Sequence, residues 1–396
     1  MLRYLTAGES HGHSLTAILE GMVSGLKIDP EQINKDLARR QGGYGRGKRM
    51  AIEQDKVQIL SGLRKDRTIG SPITVVVVNK DFKIESLPDI SRPRPGHADL
   101  PGSLKYHQNI RDVLERASAR QTAVRVAIGG ICKLLLKEFN IEVLAHVVNI
   151  AGIEADTKEL SFSDLKNRVD QSDLNCADPQ AEKKMKEKID EAIKAKDSLG
   201  GIFEIVARGL PIGLGSYVQP DRKLTSRLAG ALMSIPAIKA IEFGLGFKLA
   251  SIPGSEAHDE IFSTALHDAP SEQSYYLEKK KDFLRPTNNA GGLEGGMTNG
   301  QPLIIRCCMK PIPTLGQPLT SVDLETGDEA RAAVERSDIC AVPAAGIVGQ
   351  AVTAYELASS LLEKFGGDSL TETLRNYHSY IADLHDQVQG LKKNRL

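Results

Sequence analysis

The chain has 396 residues with 51 Lys+Arg against 51 Asp+Glu, so its formal net charge is zero and it lacks the basic excess of a general nucleic-acid binder. Hydrophobic residues make up 41% and charged residues 26%, a globular composition able to bury a sizeable core. Five cysteines, an odd count with no CxxC spacing, argue against a disulfide framework or a zinc site and fit a reducing cytoplasm.

The opening residues, MLRYLTAGESHG, contain neither a long apolar run nor a small-residue cleavage site, so no targeting segment is read there. The most apolar stretch, Pro72 to Val78, is far shorter than the ~18 residues a membrane span needs and reads as a buried strand. Strands are predicted at Val57–Gly62, Ile73–Asn79, Ile141–Ile150, Ile202–Leu210, Ile238–Phe243 and Leu303–Met309, each bounded by Gly, Pro or polar residues. One long helix is predicted from Asn109 to Phe139, with Gly129–Gly130 as a close approach or a kink. A charged helix, Pro179 to Lys196, carries a thin stripe of Met185, Ile189 and Ile193 and is read as a solvated, peripheral element within 155–200. A further helix runs from Pro343 to Lys364. The last begins at Ser369 with Glu372 as a capping box, and its stripe of Leu370, Leu374, Tyr377, Ile381, Leu384 and Val388 predicts contact along its whole length. The tail at 391–396 is expected to fray. Strands and helices follow no βαβ rhythm. Length alone suggests two or three domains of about 150 residues, or one large one.

Seven stretches carry chemistry. Gly8–Glu9–Ser10–His11–Gly12 matches the G-x-S-x-G elbow of serine hydrolases, but only seven residues precede it, leaving no room for the upstream oxyanion loop. The alternatives are a glycine-rich turn, or a loop in which Ser10 and His11 meet an anion. Residues 39–49 hold five cations and four glycines, with no acid until Glu53. Glycines admit close backbone approach while arginines supply forked donors, so capture of phosphate or carboxylate is preferred over a solvated loop. In Arg92–Pro93–Arg94–Pro95–Gly96–His97–Ala98–Asp99, neighbouring cations favour a neutral His97, and Asp99 offers a capping alternative. Arg116 and Arg120 share a helix face, which calls for an anion unless Asp112 or Glu115 serves. Late in the chain, Asn288 to Gly300 holds five glycines, the rigid prolines of Lys310 to Thr314 place one cation and one hydroxyl, and Glu335 to Asp338 is a salt-bridging surface or a functional carboxylate.

Together these stretches resemble the chorismate synthase family. The match runs through GESHG at 8–12, RRQGGYGRGKRM at 39–50, GSPI at 70–73, RPGHADLPG at 94–102 and ERASARQTAVRVA at 115–127. It continues with NNAGGLEGGMTNGQP at 288–302, KPIPT at 310–314 and ERSDICAVPAA at 335–345. The resemblance implies a single α+β domain over 1–396, with antiparallel β-sheets sandwiching a helical core, assembled as a cytoplasmic homotetramer. It implies elimination of phosphate from 5-enolpyruvylshikimate 3-phosphate to give chorismate. The expected cofactor is reduced FMN, with NADPH or an external flavin reductase as the source of electrons.

By the same resemblance His11 protonates the departing phosphate beside Ser10, His97 stabilises the reduced flavin, and Asp338 helps the ring proton leave. Arg40 and Arg46 match substrate or NADP positions. Arg116, Ala117, Ser118, Pro236, Ala237, Gly295, Lys310, Pro311, Ile312, Pro313, Thr314 and Arg336 match flavin positions. No metal, nucleic acid or membrane is expected, and a serine hydrolase using Ser10 is the disfavoured alternative. Gln350 stands where many relatives are acidic.

Overall fold

The computed structural model describes residues 1–46, 54–263, 277, 283–335 and 337–393. The chain opens with an antiparallel pair, β1 (Arg3–Ala7) and β2 (Ser14–Glu20), joined by the GESHG segment. β3 (Val57–Ile59) and β4 (Ile73–Val78) complete a four-stranded sheet of order β1-β2-β4-β3. Alternation decides its faces: Leu15, Ala17, Leu19, Ile73, Val75 and Val77 point inward and are buried, while Leu5 and Ile18 remain exposed outside. The first two strands were not among those predicted. β1 turns only the half-buried Tyr4 and Thr6 inward, so its hydrophobic alternation is weak.

The second sheet contains β5 (Glu142–Ile150), β6 (Ile153–Glu154), β7 (Gly201–Arg208), β8 (Ile238–Phe243) and β9 (Leu303–Met309), in the order β8-β9-β7-β5-β6 with antiparallel neighbours. Apart from the two-residue β6, which was not predicted, these strands match the predicted ones to within two residues at each end. The exception in the first sheet is the Val57 strand, which stops at Ile59.

Of the helices of eight or more residues, most pack on the core between the sheets, while Phe162–Gln171 packs on the other face of the second sheet against Leu144, Val206 and Ile304. In chain order they are α1 (Pro30–Gln41), α2 (Asp99–Tyr106), α3 (Ile110–Ala117), α4 (Thr122–Lys137), α5 (Phe162–Gln171), α6 (Pro179–Ala195), α7 (Leu224–Met233), α8 (Val342–Phe365) and α9 (Leu370–Lys393). α4 and α8 are buried on nearly every side, α4 meeting β2 and β4 and α8 meeting β5 and β7. This is the antiparallel sandwich over a helical core that the resemblance implies. Their crossing depends on Gly129: a Cβ there would lie 2.4 Å from that of Ala351, closer than any side chain permits. Gly129–Gly130 is thus a close approach within a continuous helix, not a kink.

The predicted 109–139 helix is broken. Ser118 is extended (φ −62, ψ 143), a 3₁₀ turn covers Ala119–Gln121, and the Ser118 hydroxyl accepts the Arg120 N–H at 3.2 Å. Apolar periodicity runs on both sides of this cap, which hides it from a pattern reading. Arg116 and Arg120 therefore do not share a face. On α6, Ala181, Met185 and Ile189 join the core whereas Ile193 is 47% exposed. On α9 the Ser369–Glu372 capping contact forms, and Leu370, Leu374 and Tyr377 meet the core. Ile381 is exposed, so among the described residues the contact does not extend along the whole helix. α9 continues to Lys393, and 394–396 lie outside the described residues. Gln350 is buried, its side-chain oxygen accepting the Ala145 N–H at 3.0 Å.

Among the described residues no helix is long and apolar enough to cross a membrane. All five cysteines are unpaired, and burial pushes the thiols of Cys176 and Cys340 up to about 11.

Candidate active site

The GESHG segment is clamped from two sides. Asn79, buried at the end of β4, donates from its side chain to the carbonyls of Glu9 (3.2 Å) and Gly12 (2.7 Å). From the other side, Glu115 near the end of α3 accepts the Ser10 N–H on its main-chain carbonyl at 2.8 Å. Its carboxylate takes the His11 N–H at 2.7 Å and lies 2.8 Å from His11 Nδ1. Burial opposes the charge on Glu115, but bonds from the His11 ring and main chain, with Arg111 nearby, outweigh it and hold the carboxyl below its usual range. Ser10 donates to the Ser118 hydroxyl at 3.1 Å. Arg116 reaches back to the carbonyls of Gly8 (3.0 Å) and Thr6 (3.2 Å). This loop joins two antiparallel strands, so the strand-to-helix setting of a hydrolase elbow is absent.

Next to this loop lies a buried cluster of arginines. Arg120 donates to Asn79 (2.9 Å) and pairs with Asp55 at 2.6 Å. Arg40, at the end of α1, meets the same Asp55 oxygen at 3.6 Å and donates to Thr122 at 3.2 Å. Arg46 pairs with Asp338 at 2.7 Å and donates to the Arg40 carbonyl at 3.4 Å. The main chain joins the same two segments, since the Ile339 N–H binds the Gly45 carbonyl at 2.9 Å. Burial lowers the Arg40 guanidinium to about 10 despite Asp55, with Arg120 and Arg46 adding to the strain. Within this group three guanidiniums face two carboxylates, a local excess of positive charge with little water to screen it. The Nε atoms of Arg46 and of Arg125 are buried and make no hydrogen bond among the described residues.

A third group surrounds His97. Asp99, fully buried at the start of α2, accepts from Arg94 Nε (2.8 Å), Arg94 Nη2 (3.0 Å) and the Arg94 N–H (3.0 Å). It also lies 2.5 Å from His97 Nδ1. Arg94 Nη2 lies 3.0 Å from the same ring nitrogen, so a cation and a carboxylate both face His97 Nδ1. Burial opposes ionisation of Asp99, but the bonds from His97 and Arg94 outweigh it and hold the carboxyl well below the usual range. Arg94 Nη1 donates to Thr314 at 2.7 Å, and the Lys310 ammonium binds the Gly96 carbonyl, so the 94–99 turn lies against 310–314. The Lys310 N–H binds the carbonyl of Ala237, a non-glycine residue held at φ +67. Arg125 secures the chain leading there, donating to the Ser234 hydroxyl at 2.7 Å.

The expected site residues accordingly fall into three groups. Ser10, His11, Arg116, Ala117 and Ser118 meet at the GESHG loop, and Arg40, Arg46 and Asp338 at the arginine cluster. His97 and Lys310–Thr314 form the third group with Pro236–Ala237. Gly295 sits apart: the adjacent Gly296 binds Leu224 at the start of α7, while Ala237 follows that helix's end, about 15 Å away. Arg336 lies outside the described residues, as do Lys48 and Arg49 of the basic loop. Asn79 and Asp55 were not singled out, Arg120 was read only as an anion-facing neighbour of Arg116, Arg94 only as a cation beside His97, and Glu115 only as a helix neighbour. Of these, Arg94 was the most accessible to pattern reading, since it shares a stiff turn with His97.

A profile of the family described as chorismate synthase matches residues 2–362. The chain belongs to the chorismate synthase family. It is 54% identical over 398 residues to the chorismate synthase of Geobacter metallireducens, covering 96% of this chain and 98% of the relative. Against the chorismate synthase of Desulforamulus reducens it is 55% identical over 386 residues, covering 94% and 96%. A solved crystal structure of chorismate synthase superposes with a TM-score of 0.77 at 39% identity, covering 98% of each chain. As a member of this family the chain is a lyase of aromatic amino-acid biosynthesis that acts on a small-molecule substrate.

Proposed function

We propose that the chain eliminates phosphate from 5-enolpyruvylshikimate 3-phosphate to give chorismate, with reduced FMN as cofactor. The arginine cluster carries this reading. A substrate with one phosphate and two carboxylates requires several desolvated, forked cations, and Arg40, Arg46 and Arg120 supply them beside His11. His11 gives a proton to the departing phosphate, Ser10 and Ser118 hold an oxygen of it, and Asp338 takes the ring proton.

The third group fits FMN. The left-handed turn at Ala237 and the prolines of 310–314 form a rigid edge, and the buried Arg125 Nε nearby is a donor left for an anionic group. Lys310 to Thr314, Pro236 and Ala237 would hold the flavin, with His97 against it and Arg116, Ala117, Ser118, Gly295 and Arg336 completing its contacts. When bound, reduced FMN would lend the substrate an electron reversibly. The protein's part is to orient the substrate, exclude water and move protons at His11 and Asp338.

We take residues 1–396 as one catalytic domain, working in the cytoplasm as a homotetramer. One buried apolar cluster spans both sheets, in keeping with a single domain. Exposed Leu5 (74%), Ile18 (44%) and Val78 (48%) on the outer sheet face are in keeping with association between copies. A monomeric mass by light scattering would remove that part. An external reductase, drawing on NADPH, supplies the reduced flavin.

The test is anaerobic incubation with photoreduced FMN and the enolpyruvyl phosphate. Chorismate and inorganic phosphate are expected in equal amounts. Folded chain that forms neither product overturns the reading, and labelling of Ser10 by a fluorophosphonate would favour the hydrolase.

A further inference from the structure

The His11 side chain and main chain are both held by one residue 104 positions away. Glu115 spends one carboxylate oxygen on the His11 N–H and presents the other to Nδ1. A main-chain N–H can only donate. An ionised carboxylate can only accept, so Nδ1 must carry a hydrogen when this geometry forms. With that hydrogen committed to Glu115, proton transfer by the ring takes place at Nε2.

We propose that Glu115 is a positioning residue that fixes His11 as the Nδ1–H tautomer and orients Nε2 for proton transfer to the phosphate. The inference rests on the elimination reading for its consequence, but not for its geometry. In the transfer the Nε2–H bond breaks and a phosphate O–H bond forms, and the imidazolium returns to a neutral ring that keeps its Nδ1 proton. Glu115 neither gains nor loses a proton. Its negative charge lies 2.8 Å from the ring that carries the positive charge before the transfer.

Five further hydrogen bonds hold the loop that carries the ring. The Glu115 main-chain carbonyl holds the Ser10 N–H, Arg116 holds the carbonyls of Thr6 and Gly8, and Asn79 holds those of Glu9 and Gly12. The ring is therefore attached to a loop that cannot rotate away from α3. The Glu115 side chain is only 5% exposed, so water competes little for its oxygens.

Glu115→Gln tests the idea because an amide has one acceptor oxygen where the carboxylate has two. If that oxygen keeps the His11 N–H, the amide NH2 faces Nδ1 and forces it to accept, which reverses the tautomer. Glu115→Asp keeps two acceptors on a shorter arm. A merely structural role would favour Gln, the closer match in shape; the positioning role favours Asp.

The experiment is 15N NMR of flavin-free, histidine-labelled chain, with the His11 signal assigned by its loss in His11→Ala, alongside turnover of the same variants. In wild type and Glu115→Asp, the neutral His11 ring is expected to carry its proton on Nδ1; in Glu115→Gln, on Nε2. Turnover of Glu115→Gln should fall about 10- to 100-fold with KM within twofold, less than the ~10² to 10⁴ expected when the acid itself is removed. Glu115→Asp should retain more turnover than Glu115→Gln, and Glu115→Gln should cost little more once His11 is Ala.

The same tautomer in wild type and Gln, or Gln turnover equal to or above that of Asp, overturns the proposal. The NMR result stands whether or not the chain turns over. A chain with the expected tautomers and no elimination activity would sink the reading of function and leave the positioning role intact.

Discussion

His11 and His97 both rest against a carboxylate, but the two pairs are built differently. His97 and Asp99 are two positions apart in a turn stiffened by Pro93 and Pro95, and Asp99 also binds Arg94 three times. His11 and Glu115 are 104 positions apart and meet only where the β1–β2 loop docks on the end of α3. Little chain entropy opposes closing the first pair, and its carboxylate belongs to a clamp that extends through Arg94 to Thr314. The second pair forms only in the finished fold, and its carboxylate sets the direction of one imidazole. The carboxylate of the local pair thus serves stability through Arg94, while the carboxylate of the remote pair serves the orientation of one ring.

The largest effects should come from the rings themselves. His11→Ala and His97→Ala should each lower turnover by about two to four orders of magnitude with the thermal midpoint little changed. Full activity in either variant would remove that histidine's assigned role.

Asp99→Asn should next separate the clamp from the switch of tautomer. It leaves the buried Arg94 uncompensated and should cost about 3–5 kcal/mol in urea unfolding; a loss below ~1 kcal/mol would break the comparison. The same variant carries a pH signature. Asp99 is held below its ordinary value of 3.8, so its contribution is complete above that pH and is lost as pH falls further, through the lower folded value. The wild-type advantage over Asp99→Asn should therefore be constant from neutral pH to about 5 and shrink on acidification below 4.

Asn79→Ala should act on the remote pair only. It removes the donor to Glu9 and Gly12 and the acceptor for Arg120, at about 1–3 kcal/mol. Differential scanning calorimetry with 15N NMR of both histidines is the check, and a change at His97 but not at His11 would contradict the division. Smallest should be Thr314→Val, which takes one acceptor from Arg94 while Asp99 keeps three bonds to it, at about 1 kcal/mol. A loss as large as that of Asp99→Asn would mean that the clamp depends on Thr314 as much as on Asp99.

Much of the site was legible from residues close in sequence. The glycines and arginines of 39–46, the proline-stiffened 92–99 turn and the 310–314 segment each carry their character within a few positions, because turn geometry and local charge are short-range properties. The strands of the second sheet were legible for a similar reason, being short apolar runs bounded by breakers. The break at Ser118 was not. A hydroxyl that caps the following turn leaves the 3.6-residue periodicity intact on both sides. The stripe on α9 misled in the opposite direction, since periodicity reports an apolar face without saying that this chain covers it.

A net charge of zero argued, from the residues alone, against a general polyanion binder, and the short motifs marked many of the side chains that could do chemistry. What they could not settle is which of those side chains share a carboxylate. Asp55 joins Arg40 to Arg120, Asp338 meets Arg46, and Glu115 turns His11, each across a long stretch of chain. Such pairings follow from the crossing of α4 and α8 at Gly129 and from the sheets stacked on either side. They exist only where burial removes water and leaves each charge to find its partner within the fold.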